Sequence, residues 1–310
     1  MAVTLKGRDF ISIHDFTVEE VEQIFEMTGF LKMMNKTGQP FQPLKGKTLG
    51  MIFTKPSTRT RISFEVGMYQ LGGHALFLSS QELQLRRGET IADTARVLSR
   101  YVDGIMIRSF AHEDVTDLAK YGSIPIINGL TDLLHPCQAM ADAYTIIEKR
   151  GTTKGVKLVY LGDGNNVAHS LMFVGAKTGM HVVVCSPSGF EPRREIVEAA
   201  REDARETGAV IEVVNDPSEA VRGADVIYTD VWASMGQEAD HDRKAQAMRP
   251  FQVNAGMLSL AKPDVLFEHC LPAHRGEEVT DEVMDGPHSI VFDEAENRLH
   301  VQKAILALVM

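Results

Sequence analysis

Seven residues, Lys55-Pro56-Ser57-Thr58-Arg59-Thr60-Arg61, follow the apolar run at 49–53. Hydroxyls and guanidinium groups converge where a strand ends and a helix begins. A helix N-terminus carries unpaired N–H groups and about half a positive charge, so phosphate binds there readily. Arginine adds a planar fork of donors matched to phosphate oxygens. A polar helix cap would use one hydroxyl, that of Ser57 or Thr58. Two arginines on the same turn ask for more than a cap, and the chemistry expected is anion binding.

Other polar residues repeat this placement. Residues 48–53, 75–78, 104–107 and 124–127 read as strands between amphipathic stretches. After a polar, glycine-bearing break at 150–155, the alternation restarts with 157–161, 181–184, 210–214, 226–228 and 265–267. Arg108, His135 with Gln138, Asn166, Asp230 and Cys270 each fall just past one of these runs. In open α/β sheets the carboxyl edge of the strands is where ligands bind. The first half of the chain offers Ser57, Thr58, Arg59, Thr60 and Arg108 to an anion. His135 and Gln138 could bond a carbonyl or amide beside it. A structural ion pair for Arg108, a helix cap for His135 and a solvated Gln138 are the plain alternatives. The second half offers an amide (Asn166), a carboxylate (Asp230), a thiol (Cys270) and the segment Trp232-Ala233-Ser234-Met235-Gly236, a set suited to an amine or zwitterion. There the alternatives are a turn-capping Asp230 and a Cys270 that only fills apolar space.

Strands alternating with helices imply parallel sheets covered on both faces. The fold class is α/β: two doubly wound parallel-sheet domains, residues 1–148 and 149–292, with the active site in the cleft between them. Thr17 and Glu20 form a capping box for a first helix with Val21, Ile24, Phe25 and Leu31 along one face. Residues 293–310 read as a helix whose apolar face (Val301, Ile305, Leu306, Val309) is expected to pack back on the first domain.

A chain of 310 residues is long enough for two such cores. Its net charge of −10 disfavours nucleic acid or an anionic membrane as partner, because a phosphate backbone demands a basic face. No apolar run approaches the roughly 20 residues of a membrane span. Residues 1–15 lack the apolar core of a signal peptide. Three scattered cysteines, Cys137, Cys185 and Cys270, make no disulfide framework and suit a reducing cytoplasm. The pairs His135/Cys137 and His269/Cys270 follow no common ligand spacing, so no metal is expected. Leu161-Gly162-Asp163-Gly164-Asn165-Asn166-Val167 opens like a dinucleotide fingerprint. Val167 replaces the third glycine, and the next strand ends without an acid for a ribose hydroxyl, so no cofactor is expected.

Ser57-Thr58-Arg59-Thr60-Arg61, His135-Pro136-Cys137-Gln138, Asp230 with Ser234-Met235-Gly236, and His269-Cys270-Leu271-Pro272 together resemble the signature set of the ornithine carbamoyltransferases. The likeness runs in the family's order and spacing along essentially the whole chain. It implies transfer of the carbamoyl group of carbamoyl phosphate to the side-chain amine of L-ornithine, giving citrulline in arginine metabolism. It also implies a cytoplasmic homotrimer or an assembly of trimers. By this resemblance Ser57, Thr58, Arg59, Thr60, Arg108, His135 and Gln138 bind carbamoyl phosphate. Cys270 and Leu271 lie beside its carbamoyl group, Arg298 completes the phosphate side, and Gln84 serves a neighbouring subunit's site. Arg86 stands where the family often has glycine, a departure that bears on the Gln84 segment. Asn166, Asp230, Ser234 and Met235 would hold ornithine. Arg108, His135 and Cys270 would be catalytic, with Cys270 either orienting or deprotonating the amine. Enzymes acting on N-acetylornithine or putrescine differ in these same loops, so a related amine is the alternative substrate.

Overall fold

The computed structural model describes residues 4–79, 83, 88–232 and 241–310. The chain divides into two compact units, residues 1–140 with 296–310, and residues 141–295. Each is built around an all-parallel sheet.

The first unit opens with α1 (Val18–Lys36), whose capping box between Thr17 and Glu20 forms as expected. Val21, Ile24, Phe25 and Leu31 are buried along its inner face. There follow β1 (Thr48–Phe53), α2 (Thr58–Gln70), β2 (His74–Ser79), α3 (Ile91–Leu98), β3 (Gly104–Arg108), α4 (His112–Tyr121), β4 (Ile126–Leu130) and α5 (Pro136–Arg150). The strand order is β2-β1-β3-β4, so the winding reverses between β1 and β3. β4 begins two residues later than its apolar run suggests. Pro125 has no N–H to give a ladder; it only accepts from the Ile105 N–H, and regular pairing starts at Ile126. Arg108 is the last residue of β3, opposite Phe53, rather than the first beyond it.

Gly67 governs how closely a later helix approaches α2. A Cβ there would meet Lys303 Cγ at 3.2 Å and Leu299 Cδ1 at 3.7 Å. Without one, the closing turns of the chain lie tight against α2, with Val301, Ile305, Leu306 and Val309 fully buried in this unit.

The second unit continues with β5 (Lys157–Leu161), α6 (Asn166–Thr178), β6 (His181–Cys185), α7 (Arg194–Thr207), β7 (Ile211–Val214), α8 (Pro217–Ala220), β8 (Val226–Thr229), α9 (His241–Met248), α10 (Ala255–Leu258), β9 (Leu266–His269), α11 (Asp281–Met284) and α12 (Val291–Val309). The division between units falls inside α5 and α12. Here the order is β7-β6-β5-β8-β9, and the winding reverses between β5 and β8. β9 runs on to His269 because that residue pairs opposite Thr229. The core contains Val159, Leu161, Ile227 and Phe267. Gly164 in the β5–α6 turn is fixed by packing: a Cβ would fall 2.2 Å from the Pro192 nitrogen. Among the described residues no helix is long and apolar enough to cross a membrane.

Candidate active site

In the first unit the candidate residues gather at the reversal between β1 and β3, where a doubly wound sheet opens a crevice. Ser57 caps α2, its Oγ accepting from the Thr60 N–H at 3.2 Å. The cap reading therefore holds for Ser57, while Thr58 and Arg59 stand exposed on the same turn. Arg61 does not join them. Its Nε donates to Glu65 at 2.9 Å and its guanidinium lies 3.7 Å from the Phe77 ring centroid. The buried Thr60, Gln138 and Arg298 are tied together: Arg298 Nη1 donates to Gln138 Oε1, and Nη2 to Thr60 Oγ1 at 3.2 Å. Lys55, also buried, pairs with Asp132 at 2.8 Å and sits 4.5 Å from the Phe110 ring centroid. It thereby joins the loops that follow β1, β3 and β4.

His135 lies buried within this cationic set. Burial, and then the charges of Arg298, Arg108, Lys55 and Arg59, hold its pKa well below the usual histidine value. At neutral pH it is an uncharged imidazole with one N–H to donate. Cys137, two residues on, is a core thiol whose pKa burial pushes up to about 12, and its Sγ donates to the Asn128 carbonyl.

In the second unit the site lies past β5, β8 and β9. Asp230 directly follows β8. Its Oδ2 accepts from Asn165 Nδ2 at 2.7 Å, and its Oδ1 accepts from the Val231 N–H and from Cys270 Sγ at 3.0 Å. Burial, then the Asp230 charge and its hydrogen bond, push the Cys270 pKa well above an ordinary thiol's. Cys270 is therefore a thiol that donates. Leu271 sits at φ 56°, an unusual conformation for a side chain branched beyond Cβ. Its N–H is held by His269 Nδ1 at 2.9 Å, while His269 Nε2 donates to Glu278 Oε1 at 3.1 Å. Asn166 is the first residue of α6.

Sequence reasoning missed several supports of this half. Asn165 caps α6 through Oδ1 while its amide holds Asp230, so the apparent nucleotide turn serves a carboxylate. Glu278 carries no sequence signal beyond its charge. Behind Cys270 lies a buried acid group, Glu268, Glu294 and Asp142. Glu294 accepts from the His269 N–H at 2.9 Å, and Glu268 has neither oxygen paired among the described residues. Ligand atoms of Asp230, His269 and Cys270 lie within 4.8 Å of one another. Both His269 nitrogens are already engaged, however, so a metal would have to displace a bond that shapes the turn. Gln84, Ser234 and Met235 fall outside the described residues, as does Arg86.

Comparison with known proteins matches the chain to two family models. Residues 8–148 match the family model described as "Aspartate/ornithine carbamoyltransferase, carbamoyl-P binding domain". Residues 154–309 match "Aspartate/ornithine carbamoyltransferase, Asp/Orn binding domain". The chain is 62% identical over 310 residues to the ornithine carbamoyltransferase of Thermococcus kodakarensis, spanning 100% of this chain and 98% of that one. It is equally similar, 62% over the same spans, to a Pyrococcus furiosus protein named "Ornithine carbamoyltransferase, anabolic". The solved ornithine carbamoyltransferase of Pyrococcus furiosus superposes with a TM-score of 0.97 at 61% identity, over 100% of this chain and 99% of that one. That of Gloeobacter violaceus gives 0.89 at 45%, over 99% and 100%. The chain belongs to the aspartate/ornithine carbamoyltransferase family.

Proposed function

We propose that this protein transfers the carbamoyl group of carbamoyl phosphate to the side-chain amine of L-ornithine, giving L-citrulline and phosphate. The observation that carries this reading is the neutral His135 among Arg298, Arg108, Lys55 and Arg59. Such a set binds a phosphate dianion and still keeps an uncharged donor for the adjoining carbonyl. The Asp230–Cys270 pair supplies the complementary environment for a cationic amino acid. N-acetylornithine and putrescine are not favoured, because the full-length relatives at 62% identity bear the name ornithine carbamoyltransferase.

The reaction needs no covalent intermediate. The amine nitrogen attacks the carbonyl carbon, whose oxygen becomes an oxyanion; collapse breaks the carbon–oxygen bond to phosphate, and the departing phosphate takes up the proton that the amine loses. Arg108, His135 and Thr60 meet the oxyanion, an arrangement whose donors need no reorganisation as charge develops. Ser57, Thr58, Arg59, Gln138 and Arg298 hold the phosphate as it departs, aided by the α2 N-terminus. Asn166 and Asp230 hold the amino-acid end of ornithine, with Ser234 and Met235 on the same side. Cys270 orients the amine: a thiol with a raised pKa, already donating to Asp230, is a poor base. The amine enters uncharged, at a cost of about 4–5 kcal/mol from its usual pKa near 10.4 at neutral pH.

We further infer a cytoplasmic homotrimer or assembly of trimers, in which Gln84 serves a neighbouring subunit. Ile62, Val66 and Tyr69 line one exposed face of α2 beside the exposed Leu76 of edge strand β2, and Tyr69 is 80% exposed. An apolar face of this kind beside a sheet edge suits association between copies. Light scattering should return a multiple of three chains; a monomer would remove the Gln84 assignment.

The deciding experiment offers ornithine, N-acetylornithine, putrescine and aspartate side by side with carbamoyl phosphate. Citrulline from ornithine alone is expected. Preference for another amine overturns the second unit's assignments only, and no turnover with any amine overturns the whole reading.

A further inference from the structure

Arg298 and Gln302 stand one helical turn apart on α12, so their side chains meet on one face. Both are buried. The hydrogen-bond network assigns the Gln302 amide with its oxygen toward Arg298, accepting from Nη2 at 2.8 Å and from Nε at 3.2 Å. Its nitrogen then donates to Ser63 Oγ at 2.5 Å. Ser63 Oγ in turn donates to the Thr60 carbonyl at 3.2 Å. An unbroken chain of bonds thus runs from the guanidinium to the first turn of α2, the turn that carries the anion-binding residues. Gly67 makes this reach possible by letting α12 lie against α2.

The partners of Arg298 share one property. Gln138, Thr60 and Gln302 are all neutral, and no carboxylate lies within salt-bridge distance among the described residues. A guanidinium has five N–H donors. Gln138 takes one on Nη1, Thr60 and Gln302 take the two on Nη2, and Gln302 also takes Nε. One Nη1 hydrogen is left over. A carboxylate in the place of Gln302 would hold the fork equally well but would neutralise it. Neutral acceptors fix the geometry and leave the full positive charge for an incoming anion.

We propose that Gln302 is a positioning residue for carbamoyl phosphate: it sets the Arg298 fork, through Ser63, against the first turn of α2 without cancelling its charge. This rests on the reading of Arg298 as a phosphate ligand.

Two nearly isosteric substitutions separate geometry from charge. Gln302→Met removes the acceptor and keeps the volume; Gln302→Glu keeps the acceptor and adds the charge. Steady-state kinetics with carbamoyl phosphate and ornithine, and inhibition by inorganic phosphate, provide the readout. Gln302→Met should raise the KM for carbamoyl phosphate about tenfold, the scale of one charge-assisted hydrogen bond. Gln302→Glu should raise it further and weaken phosphate inhibition in parallel. The KM for ornithine should stay unchanged in both, a split that general loosening of the fold would not produce. Gln302→Glu binding carbamoyl phosphate as tightly as the wild type overturns the proposal. So does an equal rise in both KM values. Wild-type protein that fails to turn over carbamoyl phosphate with ornithine would instead overturn the functional reading beneath it.

Discussion

The two units solve opposite electrostatic problems by one device. In the first, a base, His135, is kept uncharged by burial among Arg298, Arg108, Lys55 and Arg59. In the second, an acid, Cys270, is kept uncharged by burial beside Asp230, with Glu294 and Asp142 adding to the effect. Each surrounding field has the sign that attracts its proposed ligand, an anion in one case and an ammonium in the other. Each field also stops the central group from taking a further charge of the field's own sign. A neutral imidazole and a neutral thiol remain as hydrogen-bond donors. Burial supplies the low dielectric that makes both effects large.

The comparison can be broken at either end. Arg108→Gly removes a cation and one of the proposed oxyanion donors, and should cut kcat about a thousandfold. Substantial residual turnover would place that role elsewhere. Cys270→Ala should lower kcat about a hundredfold through a misplaced amine, with carbamoyl phosphate affinity unchanged. An undiminished kcat would remove the thiol from the reaction.

Folding stability sharpens the contrast, because the units should respond to pH in opposite directions. The folded-state pKa of His135 is depressed, and that of His300 is pushed down to about 4 by burial and by Lys303 and Lys32. Their stability contribution is complete above about pH 6.5 and is lost as pH falls through the folded values, since the unfolded chain takes up protons first. Chemical denaturation between pH 7 and 4 should therefore show a shallower loss in His135→Gln than in the wild type. Equal slopes would assign the acid sensitivity to other groups. Glu268 behaves in reverse. Burial, then the charges of Glu294 and Asp142, raise its pKa well above the carboxylate range. Its neutral form suits the fold at low pH, and stability is lost as pH rises through the folded value. Glu268→Gln should melt a few degrees above the wild type at alkaline pH, with the gap closing on acidification. A gap independent of pH would mean that Glu268 gives up its proton equally readily in the folded and unfolded chain.

Much of the fold and of the candidate site was legible because the candidate residues fall where strands end, and strand ends are marked by apolar runs giving way to polar residues. Ser57, Arg108, Asp230 and Cys270 all follow such transitions, so their sheet edges could be read directly. What escaped were contacts between residues far apart in the chain. Arg61 looked like a second anion donor, but Glu65 sits one turn along its helix and Phe77 arrives from the next strand, and together they turn it away. Asn165 looked like part of a nucleotide turn until Asp230, from another strand, came within reach. Gln302 is an unremarkable amide in a helix. Its meaning comes from Arg298 on its own face and Ser63 on a different helix, and no local pattern encodes that meeting.

Leu271 carries a consequence for anyone who wishes to make this chain more heat-resistant. A left-handed residue with a side chain costs about 1–2 kcal/mol, which glycine would not incur, and here the cost falls one residue past Cys270. The simplest stabilising change, Leu271→Gly, thus lies where freedom is least welcome. It would relieve the backbone and release the turn that His269 holds. Tolerance to temperature and speed of turnover would then trade against each other at a single position.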